Sequence, residues 1–363
     1  VLPRQDTQNP GPLFTELERL HSAQQRDRLP GLLELASWCP VQVLPAARAF
    51  GHSIEYLAHR DDAHLLAVDV GVSNVTVAGV VDGQFELATR ADLGPDRNAH
   101  RLLDLVSESS VLRWLPFEMS AADLRALMLN RSLRGHTLPQ TRRDLLLEHA
   151  LARETIRYAV QDVLPRWSNG SAGRDSELLP GFQLLVGGGG LLAHTPSYGL
   201  AALTLLDALQ PVGMCGLSLD RTGLLAPLAG VALANPLAAA SLMKRDALLN
   251  LCTVVAPIGQ ADRGTIALDA RIEHPDGRIR RVEVAYGSLE VAPIPKGQEV
   301  TMELRPTEHF DVGLGMKGQP GRTTVKGGAV GLVFDARGRP LPVVSSAAEQ
   351  RERMQEWLTA VEL

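Results

Sequence analysis

Along the chain the spacing of apolar positions shifts between helical and strand-like, and each shift marks an element. Before residue 60 the pattern is mainly helical: LFTELERLHSAQQRDRL sets apolar side chains three and four apart, with charges between them. Residues 65–81 read as two apolar runs, LLAVDV and VTVAGVV, on either side of a polar tip. Asp82-Gly83 is a tight-turn pair, and QFELATRADL after it is a third strand. LRALMLNRSLRGHTLPQ predicts a helix that breaks at Gly135 and Pro139. Thr141 and Asp144 then give a capping-box start to TRRDLLLEHALARETIRYAVQDVL, the longest predicted helix. SNGSAGRDSE is polar throughout and predicts a surface loop.

GFQLLVGGGGLLAH follows as a buried strand, four glycines and a helix start. HTPSYGLAALTLLDAL is helical, GLSLD is a short strand, and another apolar helix comes after it. This alternation predicts an α/β layer, a five-stranded mixed sheet flanked by helices over about 65–260. Near Gly264 the texture changes: RIEHPDGRIRRVEVAYG and GQEVTMELRP alternate apolar and polar residues, and AVGLVFDARGRPLPVV adds a hairpin. Residues 264–344 therefore predict a separate antiparallel β domain, with Val282, Val284, Val300, Met302, Leu304, Val330 and Val333 in its core. Residues 345–363 close the chain with an amphipathic helix anchored by Trp357.

Composition narrows the function classes. The 363 residues are 45% hydrophobic, enough for a large core and more than one domain. Net charge is −5, with 36 basic and 41 acidic residues interspersed, which leaves no footprint for nucleic acid or an acidic membrane surface. Residues 222–243 carry no charge, but Asn235-Pro236 reads as a cap and a first helical position. That splits the run into two short helices and argues against a membrane span. Cys39, Cys215 and Cys252 are far apart and lack metal or disulfide spacing, as in a reduced cytoplasmic protein. The first residues, VLPRQDTQNPGPL, do not read as a signal peptide, and without an initiator Met they fit a piece of a longer polypeptide.

Two stretches can carry chemistry. Asp69-Val70-Gly71-Val72-Ser73-Asn74-Val75-Thr76 supplies an acid for Mg²⁺, a glycine for close backbone approach, and Ser73, Asn74 and Thr76 as hydrogen-bond donors to a phosphate. A plain tight turn uses the same residue types. Gly187, Gly188, Gly189 and Gly190 stand between a strand and a helix, where backbone amides favour an anion or a nucleotide. Strand–helix packing accounts for one or two of them. The run is neither GxGxxG nor GxxxxGK[ST], which excludes a dinucleotide fold and a P-loop. The histidines lack HxxxH or HxH spacing, and there is no GxSxG elbow. Asp220-Arg221 reads as a solvated cap or a nucleotide contact, and Arg337 and Arg339 as a surface hairpin.

An acidic hairpin loop, a long helix and a strand ending in glycines form a layout that resembles the actin-like, ribonuclease H-like ATPase fold. More specifically, the chain resembles the glutamate mutase L family, actin-like proteins associated with coenzyme-B12-dependent carbon-skeleton mutases. The matching stretches are LLAVDVGVSNVTVAG, LLVGGGGLLAHTP, AALTLLDALQPVGM, LSLDRTGLLAPLAGVALANPLAA and NLCTVVAPIG, within about 30–260.

The resemblance implies a nucleotide-binding domain over 61–260, a helical remnant of a preceding half over 1–60, ATP or ADP with Mg²⁺, and a mutase as protein partner. Two departures stand out. No DxGxxxT-type hairpin precedes Asp69, and Val72, Asn74 and Val77 replace the glycine and polar residues of the family-like loop. The implied activity is accordingly that of an accessory or reactivating factor with weak or no ATPase. The alternatives are a pseudo-ATPase interaction module and a small-molecule kinase of the same superfamily.

Overall fold

The computed structural model describes residues 28–361 apart from 96–97, 135–136, 168–177 and 246, together with scattered helical positions between 13 and 24. Much of the predicted first helix, the break at Gly135 and the polar loop at 168–177 thus lie outside the described residues.

Three strands open the fold: β1 (Leu65–Val70), β2 (Val75–Val81) and β3 (Gln84–Arg90). They form an antiparallel meander, and Asp82 and Gly83 supply the positive φ angles of the second turn (49° and 74°). β4 (Leu184–Gly188) lies parallel to β1, β5 (Gly213–Leu219) parallel to β4, and β6 (Leu249–Ala256) antiparallel to β5. β7 (Ile266–Glu273), β8 (Ile279–Ala285), β9 (Leu289–Ala292), β10 (Glu299–Pro306), β11 (Gly321–Lys326) and β12 (Gly331–Asp335) complete the strands. They make an eight-stranded mixed sheet, β3-β2-β1-β4-β5-β6-β12-β9, and a four-stranded antiparallel sheet, β11-β10-β7-β8.

Period-two alternation along β1 sorts its side chains between two layers. Leu66, Val68 and Val70 face the long helix Arg142–Gln161 and the helix Tyr198–Leu209, with the C-terminal helix Ala347–Val361 packed beyond. Leu65 and Ala67 face the helices Ala46–Asp61 and Leu225–Ala234. The capping box at Thr141 and Asp144 starts the long helix as its sequence predicts. Asn235 ends one helix and caps the next, Pro236–Arg245, by accepting from the Ala238 amide at 3.1 Å. No helix among the described residues is long and apolar enough to cross a membrane.

Three expectations need correction. The large sheet has eight strands rather than five, because β6, β9 and β12 extend it. Residues 264–344 are not self-contained: β9 and β12 belong to the large sheet, and Val330 and Val333 pack into its main core. Every residue of β12 is buried, so GLVFD is an interior strand rather than a half-solvated one. Leu332 and Phe334, on its other face, meet Val300, Met302 and Leu304 of the second sheet, so one core joins the two sheets. Likewise, Phe50, Ile54 and Leu57 of the helix Ala46–Asp61 are buried against the sheet, so no division falls at residue 60.

The third correction concerns Arg337 and Arg339. They are 1% and 6% exposed, not on a surface tip. Burial is tolerated because each guanidinium meets carboxylates. Arg337 pairs with Asp335 through Nε and Nη2 (both 2.8 Å), and Arg339 Nη2 donates to Asp335 at 2.6 Å. Burial alone would raise the pKa of Asp335, but the two guanidiniums pull it well below the carboxylate range.

Candidate functional site

The acidic hairpin sits at the carboxyl end of β1. The Gly71 amide donates to the Asn74 carbonyl at 2.9 Å, closing the turn, and Asn74 Oδ1 lies 2.6 Å from where a Gly71 side chain would begin. Gly71 and Asn74 therefore build the turn together. The tip is braced from outside: Asn98 Nδ2 donates to the Ser73 carbonyl at 2.8 Å. A methyl group on Gly94 would fall 2.5 Å from the Val72 carbonyl oxygen. Thr76 lies in β2 rather than at the tip, 3% exposed, with its hydroxyl 3.2 Å from that of Thr89. The hairpin thus spends much of its polar inventory on its own architecture.

The four glycines divide in the same way. A Cβ on Gly187 would meet Leu205 at 2.6 Å, and one on Gly189 (φ 91°) would meet the Val70 carbonyl oxygen at 2.1 Å. Packing requires those two. Gly188 has ordinary clearance, with Asp69 Oδ1 at 3.4 Å, and Gly190 has nothing within 4 Å. Gly188 is buried in that contact, so Gly190 alone of the four leaves open backbone at the edge of the sheet.

Asp69 and Gly188 are register partners on β1 and β4, and Asp220, just past β5, flanks Gly188 on its other side. The Asp220 amide donates to the Gly187 carbonyl at 2.8 Å. Its carboxylate accepts from the Leu224 and Leu225 amides (2.9 and 3.0 Å), satisfying the first turn of the helix Leu225–Ala234. Asp220 is 4% exposed, a buried cap rather than the solvated one its sequence suggests. Burial, then the neighbouring Asp220 carboxylate, raise the pKa of Asp69; burial raises that of Asp220 against the pull of its backbone donors. The signal for Asp220 in the sequence was an acid five residues ahead of an apolar helix. Among the described residues no group of three or more His, Cys, Asp or Glu side chains is arranged to hold a metal ion.

Beside this edge lies a cavity of about 660 Å³. Gly71 and Val72 of the hairpin form one wall, Gly190 and His194 another, and Leu138 and Thr141, ahead of the long helix, a third. Val72 is 40% exposed there. Asp69, Ser73, Asn74, Thr76 and Gly187–Gly189 are not among its lining residues. The structure therefore brings Asp69 to Gly188, and Gly71 to Gly190, in two adjoining places.

A family model described as MutL protein matches residues 1–247. The chain belongs to this family, glutamate mutase L. As a MutL protein it carries both candidate stretches inside the matched span, whereas β6 to β12 lie beyond it. No curated relative matches the chain. Among solved structures, component A of (R)-2-hydroxyglutaryl-CoA dehydratase from Acidaminococcus fermentans shares 13% identity over 53% of this chain and 68% of that one. Its TM-score is 0.28, a likeness too slight to carry an inference.

Proposed function

We propose that this MutL-family chain is a nucleotide-binding accessory protein on an actin-like core, acting through a coenzyme-B12-dependent carbon-skeleton mutase. One observation carries the nucleotide reading. Of four successive glycines, only Gly190 has open space over it, and it lines a cavity of nucleoside size next to the place where Asp69 and Asp220 flank Gly188. The order β3-β2-β1-β4-β5, with β1, β4 and β5 parallel and the hairpin acid at their carboxyl ends, supports the actin-like assignment.

The residues suit Mg-ATP or Mg-ADP. Asp69 and Asp220 are two carboxylates whose charge is disfavoured by burial, so a divalent cation between them and a phosphate would relieve that cost. Open backbone at Gly190 suits phosphate oxygens. Bound Mg²⁺ would supply charge neutralisation, and Asp69 would orient it.

The second reading, a pseudo-ATPase interaction module, is favoured by the bracing of the hairpin by Gly94 and Asn98 and by the Val72 side chain on the cavity wall. Both readings expect negligible turnover by the isolated chain. Calorimetry with Mg-ATP should give a Kd weaker than about 1 μM. Capture from cell extract should recover a mutase subunit. Absence of any nucleotide binding leaves the interaction module. Phosphorylation of a small acid or sugar by the purified chain would instead make it a kinase.

A further inference from the structure

β8 is the last strand of the second sheet, and among the described strands it pairs with β7 alone. At one end of that ladder the His274 amide donates to the Arg278 carbonyl at 2.9 Å; at the other the Tyr286 amide donates to the Thr265 carbonyl at 2.7 Å. Bonded positions alternate along an antiparallel strand, so residues 278, 280, 282, 284 and 286 face β7. Ile279, Arg281 and Glu283 therefore turn their N–H and C=O groups to the open edge. Their side chains are exposed on the outer face, whereas Val284 is buried on the inner one.

Charges on the outer face stand in rows, and both rows break at β8. Arg322, Glu303 and Arg271 alternate in sign from β11 to β7, and Arg281 then sets a second positive charge opposite Arg271. In the other row Arg305 faces Asp269, and Glu283 sets a second negative charge opposite Asp269. Like charges directly opposite destabilise a sheet. Neither Arg281 nor Glu283 has an ion-pair or hydrogen-bond partner among the described residues. The other edge differs: on β11, Arg322 pairs with Glu273 and Lys326 with Glu299, each at 3.2 Å.

We infer that β8 is a dimerisation edge, which pairs antiparallel with β8 of a second copy about a two-fold axis at Val282. Open-edge positions must meet open-edge positions, so 279, 281 and 283 can face only one another or further odd-numbered neighbours. Centring the pair on residue 281 or 283 sets like charge against like. Centring on 282 sets Arg281 opposite Glu283 of the partner subunit, and the symmetry repeats that pairing with the roles exchanged. It is the one register of β8 on itself that gives both edge charges an opposite neighbour. The contact closes at two copies and continues one sheet through both, which removes an open edge from each.

Sedimentation of the full chain should show a concentration-dependent dimer, populated above about 10 μM. Arg281→Glu turns two facing pairs from attraction to repulsion and should weaken the dimer about tenfold. Arg281→Glu combined with Glu283→Arg exchanges every sign and should restore association to within about threefold of wild type. Both side chains are exposed, so the variants should keep the fold, which circular dichroism checks.

The register has its own readout. Residue 282 lies on the axis, where a non-bonded pair brings the two Cα atoms to about 4.5 Å, within disulfide reach. Cys39 is the native cysteine with solvent access, so the background is Cys39→Ser. There Val282→Cys should link two chains on mild oxidation, and Arg280→Cys should not. A chain that stays monomeric at about 200 μM overturns the inference. So does a dimer that Arg281→Glu leaves intact, or cross-linking at 280 in place of 282.

Discussion

Arg153 and Arg337 hold the two oxygens of a single carboxylate: Arg153 Nε donates to Asp207 Oδ2 and Arg337 Nη1 to Asp207 Oδ1, each at 2.6 Å. All three side chains are at most 1% exposed. Arg153 comes from the long helix and Asp207 from the helix Tyr198–Leu209, whereas Arg337 follows β12 and stacks on Trp357 of the C-terminal helix at 4.6 Å. The cluster therefore ties the C-terminal segment to helices inside the family span. Removing one member of a buried ion cluster leaves an uncompensated charge, at a cost of about 3–5 kcal/mol. Asp207→Leu should lose that much in urea unfolding followed by circular dichroism. A loss under about 1 kcal/mol would show that the arginines find other partners.

One turn before Arg153, His149 is fully buried, with Nδ1 2.8 Å from Thr204 Oγ1 and Nε2 3.2 Å from Thr195 Oγ1. Burial, then the charge of Arg153, lower its pKa from 6.5 to about 3. Between those values the unfolded chain binds a proton that the folded chain does not, so acid favours unfolding. The contribution is full above pH 6.5 and is lost as pH falls towards 3. It amounts to about 2 kcal/mol between pH 7 and 5, taking about 1.36 kcal/mol per unit. Asp69 and Asp220, whose pKa values are raised, act with the opposite sign over the acidic range, so the comparison must be with a variant. His149→Gln should flatten the slope of stability against pH over that interval. An unchanged slope would assign the acid sensitivity elsewhere.

The sheet meander, the capped long helix, the glycine-bearing β4 and the split at Asn235 were all legible, because each depends on residues close in sequence. What was not legible depends on distant partners. Arg337 and Arg339 read as surface because the acid that neutralises Arg337 from the far side, Asp207, lies 130 residues away. β12 read as half of a hairpin, although its continuous apolar run was the mark of an interior strand. Thr76 read as part of the loop because local pattern does not reveal that Thr89 takes its hydroxyl. Asp69 was visible and Asp220 read as a cap or a nucleotide contact; that the two are companions emerged only when parallel pairing set both strand ends on either side of Gly188.

Asp69 should be a costly residue in the absence of ligand. Its raised pKa means that the folded surroundings disfavour the charged form, through burial first and Asp220 second. Asp69→Asn keeps the shape and removes the charge. Thermal unfolding without nucleotide should therefore shift upward by a few degrees, on the order of 1 kcal/mol. If Asp69 holds Mg²⁺, the same variant should weaken Mg-ATP binding and leave binding in chelator little changed. A lower melting temperature would mean that the carboxylate makes a structural contribution absent from its hydrogen bonds.

The glycine run allows the sharpest separation of structure from binding, because its members differ in what surrounds them. At Gly189 an alanine would need a positive φ of 91° and would place its methyl 2.1 Å from the Val70 carbonyl oxygen. Backbone on both sides leaves nothing to yield, so Gly189→Ala should destabilise by at least ~2 kcal/mol. Gly187→Ala meets the end of the Leu205 side chain at 2.6 Å, which can shift, so a smaller loss is expected. Gly190 has nothing within 4 Å and begins a short helix, where alanine is the better residue. Gly190→Ala should therefore stay within about 0.5 kcal/mol of wild type. Its methyl nevertheless points into open space beside the cavity, so any anion or nucleotide bound there should be released. Denaturation midpoints for the three variants, measured alongside Mg-ATP titrations, test the whole assignment. Strong destabilisation by Gly190→Ala, or undiminished binding by it, would remove the open backbone at Gly190 from the candidate site.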